Sequence, residues 1–365
     1  MDEAKQPSGK CPKLSDAEQN MASIDRLSSL PDEVIFHILS FLPTRQSVAT
    51  SVLGKRWRFL WAHVPCLHFS EDDFKKEGFW EEETQVWDDF REEGTQASDI
   101  INRVILRHKA KRVDNLTLSY VNCNEYQLET LITTAINRSI RSLYLEHSLD
   151  TFPRYLFNCK TIVDLKLDNY RVLLSAVDNV SLPSLKKFYV SNVVCENDDA
   201  LPRILSGCPS LEELNMAIHL GYNYVGCINI SSPTIKTLKL DIDHMLRPSN
   251  LEYRMIINAP ALRYLQVYAY NFALEWITMP ITMNSLVEAD ICFKYCWFLH
   301  VKTDYNSMEM KFLNSLCYVK CLKISGWRLE EVKMQEISGE EVKCGFQNGG
   351  EDEGSIYFIL AHKMK

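Results

Sequence analysis

The stretch SSPTIKTLKL, residues 231–240, sets apolar side chains at Ile235, Leu238 and Leu240 with polar ones between them. The same spacing, an apolar residue followed three and then two positions later by others, recurs in GCPSLEELNM (207–216) and NAPALRYLQV (258–267). Taking the middle position as an anchor, the series runs Leu116, Leu143, Leu165, Phe188, Leu214, Leu238, Leu265, Ala289 and Leu322. The separations are 27, 22, 23, 26, 24, 27, 24 and 33 residues. Apart from the last, they fall within the ~20–29-residue period of units built from one strand and one return. Companion positions run from Val113 and Leu118 in the first unit to Val319 and Ile324 in the last, and every one is apolar.

Such a pattern predicts one short strand per unit with alternate side chains turned inward. No unit can bury its apolar face alone, so the units stack. The expected fold class is α/β: a leucine-rich-repeat solenoid with a curved parallel sheet and helical or irregular returns. On the strands, the residues that follow the anchors share the opposite phase and face the open concave side. Tyr144, Lys166, Tyr189, Asn215, Lys239, Gln266 and Lys323 make up this candidate target-binding set. Small residues stand six positions before several anchors, at Cys159, Cys208, Ser232 and Ala259, and fit packing at a repeat corner.

Upstream lies a different pattern, in residues 24 to 70. Pro31 is placed for a first helical turn, with Asp32 and Glu33 behind it at the positive end of the helix dipole. Apolar residues at 34, 35, 38, 39, 41 and 42 form a stripe wide enough for two partners, and Pro43 ends it. Thr44 is placed to cap a second helix with Val48, Val52 and Leu53 inward, and Gly54 marks a break before Lys55–Trp61. Three short helices bury little surface by themselves, so the surplus apolar residues point to a partner.

Leu30-Pro31-Asp32-Glu33-Val34-Ile35, Ile38-Leu39-Ser40-Phe41-Leu42-Pro43, Thr50-Ser51-Val52-Leu53 and Lys55-Arg56-Trp57-Arg58-Phe59-Leu60-Trp61 resemble an F-box of the plant F-box/leucine-rich-repeat family. Family members usually carry Ser at the place of Gly54. The repeats resemble the same family, so the likeness spans roughly residues 22–326. It implies docking on the Skp-type adaptor of a cullin-RING ubiquitin ligase through Leu30, Pro31, Ile35, Ile38, Leu39, Leu42 and Pro43. It further implies a substrate-recognition subunit of an SCF E3 ligase whose solenoid captures a protein target. The alternative is a leucine-rich-repeat scaffold or small-molecule sensor with a vestigial F-box.

The expected organisation is a disordered tail (1–21), the F-box (22–68), an acidic linker (69–99), the repeats (100–326) and a divergent cap or tail (327–365). One branch of the family continues into an FBD domain, a pattern that residues 328–365 do not show.

The whole chain has 365 residues, 46% of them hydrophobic and 24% charged, which excludes general disorder and collagen-like architectures. No run approaches the ~18 consecutive apolar residues of a membrane span. The polar N-terminus and twelve scattered cysteines fit reduced thiols in a cytoplasmic or nuclear protein. The net charge is −8. Residues 71–99 hold −9 and residues 329–354 hold −6, so removing both from −8 leaves +7 for the rest.

A helix-turn-helix reading would put Lys55, Arg56 and Arg58 on DNA, but Phe59, Leu60 and Trp61 follow at once with no wider basic patch. No nucleic-acid partner is therefore expected. The pairs Cys292/Cys296 and Cys317/Cys321 lack a companion histidine, and no nucleophile, phosphate-loop or metalloprotease signature is present. Neither catalysis, a metal nor a cofactor is expected.

Overall fold

The computed structural model describes residues 26–74, 101–121, 125–146, 154–168, 172–173, 179–194, 198–220, 226–244, 254–270, 277–279, 284–294, 312, 315–316, 319–326, 343–348 and 354–359. Pro31 is extended (φ −56°, ψ 149°), and helix α1 (Asp32–Leu39) starts immediately after it, with Asp32 and Glu33 in its first turn. Pro43 plays the same part for α2 (Thr44–Ala49). The chain then tightens into 3₁₀ turns at Thr50–Leu53 and Trp57–His63. Ile35 and Leu39 from α1 meet Trp57, Leu60 and Val64 in a small core, with Leu30 and Leu42 packed against it.

Two expectations fail here. Val52 and Leu53 are 85% and 65% exposed rather than turned inward. A 3₁₀ turn advances about 3.0 residues per turn, so positions that an α-helix would point at the core rotate away. Thr44 does not cap α2 but lies inside it, buried, where its Oγ1 accepts the His68 backbone N–H at 2.8 Å. Gly54 is fully extended (φ 165°), so it breaks the chain without a left-handed turn.

The strands are β1 (Cys66–Ser70), β2 (Asn115–Ser119), β3 (Ser142–Glu146), β4 (Asp164–Asp168), β5 (Val172–Leu173), β6 (Lys187–Val194), β7 (Glu213–Leu220), β8 (Cys227–Ser231), β9 (Thr237–His244), β10 (Arg254–Asn258), β11 (Tyr264–Tyr270), β12 (Ile277–Thr278), β13 (Glu288–Lys294), β14 (Cys321–Gly326), β15 (Lys343–Asn348) and β16 (Gly354–Ile359). The main sheet runs β1-β2-β3-β4-β6-β7-β9-β11-β13-β14, all parallel, with β5 pairing beside β6. At the far end β16 pairs antiparallel with β14, and β15 with β16. Anchors pair with anchors throughout, from Leu116 opposite Leu143 to Ala289 opposite Leu322, and all are buried in one continuous core.

That sheet begins one strand earlier than the repeat series started at Val113. Val64, Leu67 and Phe69 carry the same apolar spacing, and Leu67 pairs with Leu116. The gap of 49 residues between these two anchors hid the unit from a search for a 20–29-residue period. At the entry to each strand a single carbonyl accepts two backbone N–H groups from the next unit. The series runs through Pro65, Asp114, Arg141, Val163, Lys186, Glu212, Lys236, Arg263 and Val287, at 2.7–3.3 Å. Corner hydroxyls add to it, with Thr161 Oγ1 donating to the Ile140 carbonyl and Ser184 Oγ to that of Lys160, each at 2.7 Å.

The returns differ along the chain. Helix α3 (Glu125–Asn137), a 3₁₀ turn (Arg154–Asn158) and α4 (Ala200–Ser206) cover the early units. Later, β8, β10 and β12 form a second parallel sheet, where helical or irregular returns were expected. Ile228 and Ile230, then Met255 and Ile257, are buried with exposed or half-buried neighbours between them. That period of two, rich in β-branched residues, favours strand over helix. Cys159 and Cys208 lie buried at repeat corners, and burial pushes the Cys208 thiol up to about 12. Gly207, which ends α4, sits where a Cβ would lie 2.4 Å from the Val180 carbonyl oxygen.

A buried histidine locks the helical module to the solenoid. His108 Nε2 lies 2.8 Å from the Val64 carbonyl, and Arg138 donates to its Nδ1 at 2.8 Å. Because a guanidinium only donates, Nδ1 is the acceptor and Nε2 carries the proton. Burial, then the charges of Arg138 and His63, hold the His108 pKa below the usual imidazole value despite the Val64 carbonyl.

Candidate interaction surfaces

The helical module divides its apolar residues between an inner and an outer face. Ile35 and Leu39, expected at the docking surface, are 0% and 1% exposed and spend their side chains on the chain's own core. One turn apart on α1, they face Trp57 and Leu60. Leu30, Leu42 and Pro43 are half-buried, whereas Pro31 and Ile38 are exposed. Val34, Ile38 and Phe41, spaced i, i+4, i+7, line one side, and Phe41 is 75% exposed. Val52 and Leu53 are further large apolar side chains that the module leaves exposed.

This outer face is held stiffly. Arg56 donates to the Leu30 carbonyl and to Asp32 Oδ1, each at 2.5 Å, and also to the Ser28 carbonyl. Trp57 Nε1 donates to Ser28 Oγ at 2.8 Å. Both side chains pin residues 28–32 beside the start of α1, and Arg56 is thereby committed to groups within the chain.

The second surface is the open face of the main sheet. Tyr144, Lys166, Tyr189, Asn215, Lys239 and Gln266 occupy successive register positions in one row. Asp290 follows Gln266, and Lys323 follows Asp290. Asp290 was not among the expected residues, although its place after anchor Ala289 gives it the same phase.

At the centre of the row's first half, the Lys166 ammonium lies 4.1 Å from the Tyr144 ring centroid, 4.7 Å from that of Tyr189 and 3.4 Å from Asp168 Oδ2. Tyr144 donates its hydroxyl to Glu146 Oε2 at 2.6 Å, and Ser119 donates to the same oxygen. Burial, then the Glu146 carboxylate, drives the Tyr144 pKa upward. Although burial pushes the Glu146 carboxyl up, hydroxyls from Ser119, Tyr144 and Tyr120, with Lys166, outweigh it and hold the group below its ordinary value. In the second half, Lys239 lies 5.9 Å from the Tyr264 ring and Lys323 3.7 Å from Asp290 Oδ2.

Residues 27–69 match the F-box domain family, and residues 128–283 match the family described as "FBD-associated F-box protein At5g56370, LRR repeats". The F-box/LRR-repeat protein At3g26922 of Arabidopsis thaliana is 32% identical over 281 residues, which cover 74% of this chain and 83% of that protein. The chain belongs to the plant F-box/leucine-rich-repeat family. Two further Arabidopsis relatives are the putative FBD-associated F-box protein At5g56440 (32% identical over 278 residues) and the FBD-associated F-box protein At3g52670 (33% over 286). The matched regions cover 73% and 74% of this chain but only 59% and 63% of those proteins, so the chain spans less than two-thirds of either.

The F-box match runs through residue 69 and so includes most of β1, the first strand of the repeat sheet. F-box and solenoid therefore share a structural element in this F-box protein. Among the described residues no three His, Cys, Asp or Glu side chains gather at metal-binding distance, and no helix is long and apolar enough to cross a membrane. Cys292 is buried and Cys321 half-buried, while Cys296 and Cys317 lie outside the described residues.

Proposed function

We propose that this F-box/leucine-rich-repeat chain is the substrate-recognition subunit of an SCF-type E3 ubiquitin ligase. F-box domains generally bind Skp1-type adaptors, and here Pro31, Val34, Ile38 and Phe41, with Leu30, Leu42 and Pro43 at the margin, supply the apolar docking surface. Ile35 and Leu39 support that surface from beneath. The open face of the repeats, centred on Tyr144, Lys166 and Tyr189, captures a protein target. Other subunits carry out ubiquitin transfer, so this chain has no catalytic residue. Cytoplasmic or nuclear residence belongs to the same proposal, supported by the unpaired cysteines among the described residues.

One observation carries the mechanism: the F-box continues into the sheet without a hinge. The Pro65 carbonyl holds Asp114 and Asn115, the Ala62 carbonyl holds Lys109 and Ala110, and β1 pairs along its length with β2. A target on the sheet is then held at a fixed place relative to the adaptor. That raises the effective concentration of its lysines near a charged conjugating enzyme. Co-purification of the full chain with a Skp-type adaptor, followed by target ubiquitination with the reconstituted ligase, tests the proposal. A chain that folds but binds no adaptor would contradict it.

A further inference from the structure

The carbonyl relay at the strand entries also fixes the side chains of the residues that form it. In-register parallel strands stack equivalent positions about 4.8 Å apart, so the relay residues form a line along one edge of the sheet. From β3 to β14 that line reads Arg141, Val163, Lys186, Glu212, Lys236, Arg263, Val287 and Lys320. Five of the eight are cations, all exposed, and one is an acid. Side-chain contacts confirm the alignment. Glu212 lies 3.8 Å from Lys186 and 2.8 Å from Lys236, so one carboxylate is shared by two ammonium groups. Arg141, Arg263 and Lys320 have no acidic side-chain partner among the described residues. The positive remainder of the chain's charge is thus partly gathered on one edge, distinct from the open face and from the F-box stripe.

We propose that this edge docks an acidic polypeptide segment lying across the strands. Seven strand steps from β3 to β14 span about 34 Å, the reach of about ten extended residues. Of the cations without an acidic partner, Arg263 and Lys320 stand two strand steps, about 10 Å, apart, which matches carboxylates three residues apart on an extended chain. Arg141 lies five steps, about 24 Å, from Arg263. A single line of cations suits a single extended segment. Nucleic acid suits it less well, because evenly charged phosphates would meet Glu212 on the line and the exposed Glu213 and Glu288 beside it. Long-range attraction by such an edge speeds encounter and fades as salt screens it.

The test is fluorescence anisotropy of the full chain with a labelled ten-residue peptide carrying Glu at every third position, run beside a ten-nucleotide single strand. The combined variant Arg141→Gln, Arg263→Gln, Lys320→Gln removes the three cations that lack an acidic partner while retaining the relay backbone. The expected result is peptide binding at about 150 mM salt that weakens at least tenfold in the variant, with unchanged melting temperature and adaptor binding. Undetectable peptide binding, equal binding by a correctly folded variant, or equally tight binding of the nucleic acid would overturn the proposal. If the triple variant fails to fold, Arg141→Gln and Arg263→Gln singly must each still weaken the peptide severalfold.

Discussion

His108 Nε2 holds the Val64 carbonyl oxygen at 2.8 Å, joining the last turn of the F-box to the chain that enters the second strand of the sheet. Because burial and Arg138 keep this imidazole neutral, the folded state resists a proton that the unfolded chain accepts. Below the ordinary imidazole value near 6.5 the unfolded state binds more protons, so stability is full above that pH and is lost as pH falls toward the depressed folded pKa. The melting temperature should fall between pH 7 and pH 5.5, and less steeply in His108→Gln, which should also lose about 1–3 kcal/mol at neutral pH. A variant with the same pH profile as the parent would refute this role.

A second expectation concerns β1. As an element shared by the F-box and the sheet, it should exchange its amide hydrogens as slowly as β2 does, and Leu67→Ala should cost about 2–5 kcal/mol. Fast exchange at Leu67 and Phe69 beside a protected β2 would show that the two domains are separate bodies.

The two glycines at element ends should behave oppositely. Gly207→Ala forces a Cβ against the Val180 carbonyl, a backbone atom that cannot step aside, and should lower stability by about 1–3 kcal/mol. At Gly54 an added Cβ meets only Trp57 Cδ1 at 3.9 Å. Gly54→Ser, the family's usual residue, should therefore leave the melting temperature and adaptor binding intact.

The Tyr144–Lys166 contact should register as a coupling. A double-mutant cycle with Tyr144→Leu and Lys166→Met, read by denaturant unfolding, should yield about 0.5–1 kcal/mol. Strict additivity would mean that the lysine is not held over the ring.

How much of this was legible beforehand follows from what each signal depends on. The anchor spacing is a local repeat dictated by burial, so the main sheet, its register and the common row of Tyr144 to Lys323 could be read from it. The unit at Val64–Phe69 follows the same rule but lies beyond the period. Strand returns at β8 and β10 were missed because five-residue runs such as CINIS and RMIIN are too short to separate from irregular chain. On α1 the apolar stripe was visible, but the division between Ile35 and Leu39 inside and Val34, Ile38 and Phe41 outside depends on where Trp57 and Leu60 pack. His108 gave no signal in sequence, since its partners Val64 and Arg138 are 44 and 30 residues away.

The central claim is that the F-box of this chain docks on a Skp-type adaptor through its outer apolar stripe. Its most direct test is the affinity of the purified full chain for a recombinant Skp-type adaptor, compared with a Pro31→Ala, Ile38→Glu variant whose circular dichroism and melting match the parent. A stable one-to-one complex that weakens at least a hundredfold in the variant is the predicted result. No complex with the parent chain, or equal affinity in the folded variant, would contradict the account.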